Sequence, residues 1–162
     1  MKLYTRGGDE GETSDYAGRR IPKNHWTIVL NGSIDSLQAS LDFCKHYSPA
    51  NSELIDFVQK KLWQTGGEVS LHGTGQKVND FIVSEDVVSL EKWIDEQGVE
   101  LKNFVRFSKE ASLWFNEARV RCRELEVTMT PLYRQGTIRK EVFAFINRLS
   151  DLLFALAVKS EA

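Results

Sequence analysis

The segment from about residue 109 to residue 130 combines a helical pattern with charged side chains on one face. At about 100° per residue, a helix here forms a polar stripe of Phe115, Arg119, Cys122, Arg123 and Glu126. Apolar residues flank this stripe on both sides: Leu113, Val120 and Val127 on one, and Trp114, Ala118, Leu125 and Met129 on the other. A buried charge without a partner costs several kcal/mol, so the stripe either meets a polar partner or forms an exposed face. Periodicity leaves both interpretations open.

A second pair of polar residues, Asn147 and Asp151, lies one helical turn apart among apolar side chains. Two helices that each turn polar residues inward are typical of bundles that bind a cofactor between helices. The pair is also compatible with a polar helix edge or with a capping role. Together with the polar stripe, it favours a ligand site between two helices.

A glycine-rich run, TRGGDEG, occupies residues 5–11. Glycines let backbone N–H groups approach an anion closely, so this run can form a phosphate-binding loop. It is not a Walker A loop, because no Gly-Lys-Ser/Thr follows, and it lacks the preceding strand of a dinucleotide-binding fingerprint. The alternative is a flexible terminus. Residues 1–23 are polar and rich in glycine, and we expect them to be mobile on their own.

Five helical patterns account for most of the remaining chain, at about residues 24–47, 52–65, 84–98, 109–130 and 139–158. Residues 66–81 contain four glycines and predict a loop, into which the second helix can run some way. The predicted apolar face of that second helix comprises Leu54, Ile55, Val58, Leu62 and Trp63. No stretch has a convincing strand pattern, and Pro131 is expected to end the fourth helix. These elements predict an all-α five-helix bundle and a single domain over residues 1–162.

The composition excludes several classes of protein. A net charge of -2 gives no reason to expect nucleic acid or an anionic membrane as a partner. No apolar run approaches the ~20 residues that cross a bilayer. The N-terminus resembles neither a signal peptide nor a transit peptide, and Cys44 and Cys122 form neither a disulfide framework nor a metal-binding motif. A reducing cytoplasm is therefore the expected location.

Several motifs resemble those of the PduO-type ATP:cob(I)alamin adenosyltransferases. LYTRGGDEG at residues 3–11 resembles that family's YTKTGDxG opening, and GRRIPK at 18–23 matches its G-x-R-x-x-K at the same distance. GSIDSL at 32–37 is similar to its G-T-x-D-E-L, and residues 83–95 are similar to its third helix. NRLSDLLF at 147–154 is similar to N-R-L-S-D-Y-L-F and is the most specific match. The motifs occur in the family's order and span nearly the whole chain.

The resemblance implies a five-helix bundle that assembles as a homotrimer, with active sites between adjacent subunits. It implies that the Co(I) of a reduced corrinoid attacks C5′ of ATP and releases triphosphate. ATP, Mg²⁺ and cobalamin are then the expected ligands, and a corrinoid reductase is a further expected partner. Because the reduced corrinoid supplies the nucleophile, the protein's tasks are positioning and electrostatics.

Site residues follow from the resemblance position by position. The implied ATP-binding loop, with residues 1–23 as a mobile ATP-binding segment, contributes Thr5, Arg6, Gly8, Thr13, Ser14 and Lys23. Arg123 matches a triphosphate-binding arginine, and Asn147 matches a nucleotide-contacting asparagine. Asp35 and Arg119 match a pair that bridges subunits and orders the ATP loop.

Two further residues complete the expected site. Phe104 aligns with the aromatic residue that crowds the lower face of the corrin and excludes an axial ligand. Glu126 shares the polar stripe with Arg119 and Arg123, and we expect it to take part in cofactor binding.

The chain also departs from the family pattern at several positions, namely Gly7, Val29, Ser36, Asn116, the segment Ser108–Glu110 (a Pro-Gly-Gly turn in the family), Glu124 and Val127. Glu124 and Val127 replace two arginines. A carboxylate ~4 Å from a phosphate charge would cost up to ~4 kcal/mol at an effective dielectric of ~20, unless Glu124 points away. The expected activity is adenosyl transfer; the rival interpretations are a degenerate, non-catalytic paralogue that binds corrinoid or nucleotide, and a purely structural bundle.

Overall fold

The computed structural model describes residues 4, 6–76, 81–100 and 104–162. In this part of the chain there are five α-helices: α1 Trp26–Tyr47, α2 Ser52–Leu71, α3 Ser84–Gln97, α4 Glu110–Arg134 and α5 Lys140–Glu161. A 3-10 turn, Pro49–Asn51, joins α1 to α2. The expected all-α five-helix bundle is confirmed.

Helix α4 packs against both α5 and α1. Helix α2 packs on α1, and α3 packs on α5. The core is made of the apolar residues that recur at helical spacing, with the largest buried side chains including Leu30, Leu37, Ile55, Phe115 and Phe145. Burial of each such side chain contributes about 1.5–3 kcal/mol. This core holds the polar face of α4 beside α5.

Two short strands precede α1, and they correct the expectation that the chain has no strand. β1 (Glu12–Ser14) pairs antiparallel with β2 (Arg20–Pro22), with Thr13 opposite Ile21. Asp15 organises the connecting turn, because its carboxylate accepts hydrogen bonds from the backbone N–H and the guanidinium of Arg19. Strands of three residues are too short to show a period-two pattern in the sequence.

Two helices extend beyond their predicted ends. Helix α2 continues past residue 65 to Leu71, through Gly66 and Gly67, an extension that the sequence left open. A Cβ atom on Gly66 would lie 2.9 Å from Oδ1 of Asn31 on α1, so glycine here permits the close packing of α1 and α2. Helix α4 does not end at Pro131 but continues to Arg134. Pro131 is on the exposed side of the helix, where water can solvate the carbonyl that proline leaves without its donor.

Trp63 is a further correction, because 78% of it is exposed although it was expected on the apolar face of α2. Leu62, the preceding residue, is fully buried. The core-facing side of α2 therefore includes Leu62 but not Trp63. In the part of the chain that the structure describes, none of the helices combines the length and apolar character needed to cross a bilayer.

Candidate ligand-binding site

The polar stripe of α4 is joined to α5 by a hydrogen bond between two side chains. Asn147 of α5 donates from Nδ2 to Oε1 of Glu126, at 2.8 Å, and both residues are half-buried. Because a carboxylate only accepts, this contact turns the amide nitrogen of Asn147 toward Glu126 and its oxygen away. Arg123 lies almost one turn before Glu126 and is exposed. The structure therefore brings Glu126 and Asn147 together beside an exposed guanidinium.

Arg119 occupies the same face one turn earlier and is half-buried. Its Nε donates to Oδ1 of Asn116 at 3.0 Å, and its guanidinium carbon lies 5.7 Å from the ring centroid of Phe154 on α5. A guanidinium within about 6 Å of an aromatic ring centroid makes a favourable cation–π contact. Asn116 and Phe154 thus hold the Arg119 side chain against α5.

The two flanks of the polar stripe have different environments. Ala118, Leu125 and Met129 are fully buried, as are Phe115 and Cys122 of the stripe itself. On the opposite flank, Leu113, Val120 and Val127 are exposed, with Val127 at 70%. Within one chain, α4 therefore packs through one flank, and the charged members of the stripe lie at the boundary between core and surface.

Cys122 lies within the polar stripe but has no reactive character. Its thiol donates to the carbonyl of Ile146, with 3.3 Å between sulfur and oxygen. Burial, together with the nearby charges of Glu126 and Asp151, raises the pKa of the Cys122 thiol far above its ordinary value. The side chain therefore stays protonated and packs as a small apolar residue.

Glu124 points away from the exposed guanidinium of Arg123. Its carboxylate lies 3.3 Å from Nη1 of Arg121, and Nε of the same arginine donates to Glu117 at 3.0 Å. The charge of Glu117 is the largest cause of a raised pKa for Arg121, followed by that of Glu124. Of the two alternatives that the sequence left for Glu124, the structure favours the one that keeps its charge from the ligand face.

The glycine-rich N-terminal loop folds back against Lys23, which follows β2. A Cβ atom on Gly8 would lie 3.0 Å from Nζ of Lys23, so the ammonium rests against the loop backbone. Arg20 donates from Nη2 to the carbonyl of Gly7 at 2.6 Å, and the backbone N–H of Lys23 bonds to the carbonyl of Gly11. These contacts place a lysine ammonium beside glycine backbone, which is an arrangement suited to an anion.

The other predicted residues of this loop are also accounted for. Arg6 is exposed and has a left-handed backbone, with φ of 59°. Thr13 and Ser14 lie on β1, and Thr13 is half-buried. Thr5 lies outside the described residues.

Asp35 and Phe104 lie apart from the α4–α5 contact. Asp35 is exposed on α1 and lines a groove of about 650 Å³ between α1 and α2, together with Tyr16 and Trp63. Arg119 takes Asn116 as its hydrogen-bond partner rather than Asp35. Phe104 is 97% exposed in the segment that leads to α4. Phe104 therefore does not belong to the core of the single chain.

Within residues 4, 6–76, 81–100 and 104–162, no group of three His, Cys, Asp or Glu side chains is arranged to hold a metal ion.

The comparison with protein families agrees with this geometry. The sequence model of the family described as "Cobalamin adenosyltransferase" matches residues 3–160. The chain belongs to the cobalamin adenosyltransferase family. It is 35% identical over 164 residues to a corrinoid adenosyltransferase of Citrobacter freundii, with 96% of this chain and 93% of the relative covered.

Two further comparisons bear on the length and the fold. A second relative in Citrobacter freundii, the corrinoid adenosyltransferase PduO, is 30% identical, and the match covers 97% of this chain but only 49% of that protein. Among solved structures, a variant PduO-type ATP:corrinoid adenosyltransferase from Lactobacillus reuteri complexed with cobalamin and ATP superposes with a TM-score of 0.87, over 99% of this chain and 93% of that one. Its sequence identity of 24% supports the fold alone.

Within this cobalamin adenosyltransferase bundle, sequence reasoning missed the partners that position the arginines. Phe154 belongs to the NRLSDLLF motif, but only the structure shows that it contacts Arg119. The Arg121 contact of Glu124 has a sequence signal, since the two residues are three apart on one helix. The contact between Glu161 and Ser108 has none, because 53 positions separate the two residues.

Proposed function

We propose that the chain transfers the 5′-adenosyl group of ATP to the Co(I) of a reduced corrinoid and so makes adenosylcobalamin. A cobalt–carbon bond forms at C5′, the C5′–oxygen bond breaks, and triphosphate leaves with the electron pair. One observation carries the proposal: in a member of this family, the polar stripe presents Arg123 beside the hydrogen-bonded pair of Glu126 and Asn147 at the α4–α5 surface.

Each residue of this group has a defined task in the proposal. Arg123 is exposed and binds the triphosphate through charge-assisted hydrogen bonds. Glu126 orients the amide of Asn147, whose oxygen then accepts from the nucleotide. None of these three residues supplies a nucleophile, because the reduced corrinoid does so, and the protein's contribution is position and charge.

The N-terminal loop supplies the second half of the ATP site in this proposal. Lys23 and the backbone around Gly8 bind the phosphates, and Thr13 and Ser14 bind nearby from β1. Magnesium is bound through phosphate oxygens and water, in keeping with its reluctance to dehydrate. Phe104, which is almost fully exposed, stands against the lower corrin face and keeps an axial ligand from the cobalt.

The N-terminal segment should resist protease better when ATP binds, because its glycines and polar side chains bury little apolar surface on their own. Limited proteolysis should therefore cleave this segment more slowly after MgATP is added. Lys23→Ala should lose the protection, whereas Lys159→Ala, which removes an exposed lysine from α5, should keep it. Equal cleavage with and without nucleotide in the wild-type protein would show that this segment is not the ATP loop.

Asp35 and Arg119 support assembly as a homotrimer with ligand sites between subunits. Asp35 is exposed on α1, and Leu113, Val120 and Val127 form an exposed apolar row on α4. An aspartate of one subunit can pair with an arginine of the next while the apolar row is covered, which removes the exposed apolar surface from water.

Light scattering should therefore give the mass of three chains at micromolar concentration. Asp35→Lys should shift the protein toward smaller species, because it places like charges opposite each other. Glu53→Lys, which reverses an exposed carboxylate on α2, should leave the trimer intact. A stable monomer in the wild-type protein would contradict the assembly.

The activity itself is tested by titrating the protein with MgATP in a calorimeter and then assaying it with chemically reduced cobalamin. We expect saturable MgATP binding and the formation of adenosylcobalamin and triphosphate in equal amounts. MgATP or corrinoid binding without transfer would instead indicate the degenerate paralogue, and no binding of either would indicate a structural bundle.

The cytoplasm is the proposed location, and a corrinoid reductase is the proposed partner that supplies Co(I). Cys44 and Cys122 are both buried free thiols, which is compatible with a reducing compartment. Burial raises the pKa of the Cys44 thiol to about 12, so it also stays protonated.

A further inference from the structure

Glu161, the last residue of α5, forms hydrogen bonds with the residues just before α4. Its Oε1 accepts from the hydroxyl of Ser108 at 2.6 Å, and its Oε2 accepts from the backbone N–H groups of Ser108 at 2.8 Å and Lys109 at 3.1 Å. The hydroxyl of Ser112, which is completely buried, lies 2.5 Å from Oε2. One carboxylate thus contacts three residues around the start of α4.

This arrangement satisfies the backbone N–H of Lys109, the N-cap residue of α4, which has no side-chain cap. The N-cap residue is Lys109, whose side chain makes no capping hydrogen bond. A lysine side chain has no acceptor, so it cannot satisfy backbone N–H groups. Glu161 supplies the acceptor from another helix, and its negative charge lies at the positive end of the α4 dipole.

The hydrogen bonds from Ser108, followed by those from Ser112 and Lys109, lower the pKa of Glu161 to about 2. The carboxylate is therefore ionised at neutral pH. Its contacts join Ser108, in the segment Ser108–Glu110, to a different helix.

The segment 104–108, which leads into α4, has two anchors near its end. Phe107 packs edge-on against Phe154, with 6.3 Å between ring centroids, and Ser108 is bound by Glu161. Phe154 is also the ring that contacts Arg119. Phe104, only four residues before Ser108, projects into solvent from this anchored segment.

We infer that Glu161 is a positioning residue for the adenosyl transfer: by binding Ser108 and Lys109, it holds segment 104–108 so that Phe104 meets the lower face of the corrin. The inference rests on the proposed function. Glu161 is therefore expected to affect the environment of the cobalt but not the ATP site. The proposed ATP site consists of Lys23, Arg123 and Asn147, and the hydrogen bonds of Glu161 go to other residues. Because the ring of Phe104 is exposed, loss of the Glu161 contacts would not unpack it from the core.

The test compares Glu161→Ala with Glu110→Gln, which removes an exposed carboxylate from the first turn of α4, the helix whose start Glu161 contacts, without touching Ser108. In Glu161→Ala, backbone amides of residues 104–109 should exchange hydrogen about tenfold faster, because local opening becomes easier. The spectrum of bound Co(II) corrinoid with ATP should lose its four-coordinate species by about fivefold or more, since small misplacements near a reacting centre have large effects. MgATP affinity should stay within about twofold of wild type.

The outcomes separate this inference from the proposed function. A folded Glu161→Ala protein that keeps the four-coordinate signal overturns the positioning role, even if exchange is faster. A similar loss in Glu110→Gln overturns it as well, because the effect would then come from charge at the helix end. If Glu161→Ala does not fold, Glu161→Gln, which keeps the shape and loses the charge, is measured in its place. No four-coordinate signal in the wild-type protein would mean that the proposed function fails first.

Discussion

Replacing Phe104 by alanine should reduce the rate of adenosyl transfer by about 100-fold, which corresponds to ~2.7 kcal/mol at ~1.36 kcal/mol per factor of ten. The reason is that an axial ligand can then reach the cobalt from the lower face, so that reduction to Co(I) becomes unfavourable. Because Phe104 is 97% exposed, the substitution should change the free energy of unfolding by no more than about 0.5 kcal/mol. A core phenylalanine would instead lose about 3–5 kcal/mol on truncation to alanine.

The measurement combines thermal unfolding with the spectrum of Co(II) corrinoid bound in the presence of ATP. We expect wild-type stability and loss of the four-coordinate species. Phe81→Ala is a suitable control, because Phe81 is also exposed (42%) but lies before α3, where it contacts Arg139 at the start of α5. An unchanged spectrum in a folded Phe104→Ala protein would remove Phe104 from the corrin site.

Replacing Arg123 by alanine should weaken MgATP binding by roughly 10- to 100-fold. Each hydrogen bond from an arginine to a phosphate contributes about 1.5–3 kcal/mol, and ~1.4 kcal/mol is a factor of ten in affinity. The free energy of unfolding should change little, because Arg123 is exposed. Calorimetric titration with MgATP measures the effect directly.

Arg121→Ala is the matched control, since it removes the same charge from the same helix two positions away. Arg121 binds Glu117 and Glu124 rather than the ligand face, so its loss should leave MgATP affinity within about twofold. Glu124→Arg should likewise have almost no effect on affinity. Equal losses in Arg121→Ala and Arg123→Ala would mean that net charge, rather than a specific contact, attracts the nucleotide.

The sequence by itself was sufficient to predict the five helices, the apolar core and the family. Spacing of Ile146, Leu149 and Leu153 marks the buried face of α5 because helical residues three or four apart lie above one another. The motifs at residues 3–11 and 147–154 identify the family because each is a run of consecutive residues that can be read without knowing the fold. The sequence is likewise sufficient to name Arg123 and Asn147 as candidate ligand-binding residues.

Other features depended on how the helices pack. Periodicity gives the angle of a side chain around its own helix but not the direction of the neighbouring helix. Trp63 was therefore wrongly assigned to the apolar face of α2, and the exposure of Val127 on α4 could not be predicted. The orientation of Glu124 was open until Arg121 was seen to bind it. The anchoring of Ser108 by Glu161 brings together residues 53 positions apart, and only the packed bundle determines that contact, because α4 and α5 must lie side by side before it forms.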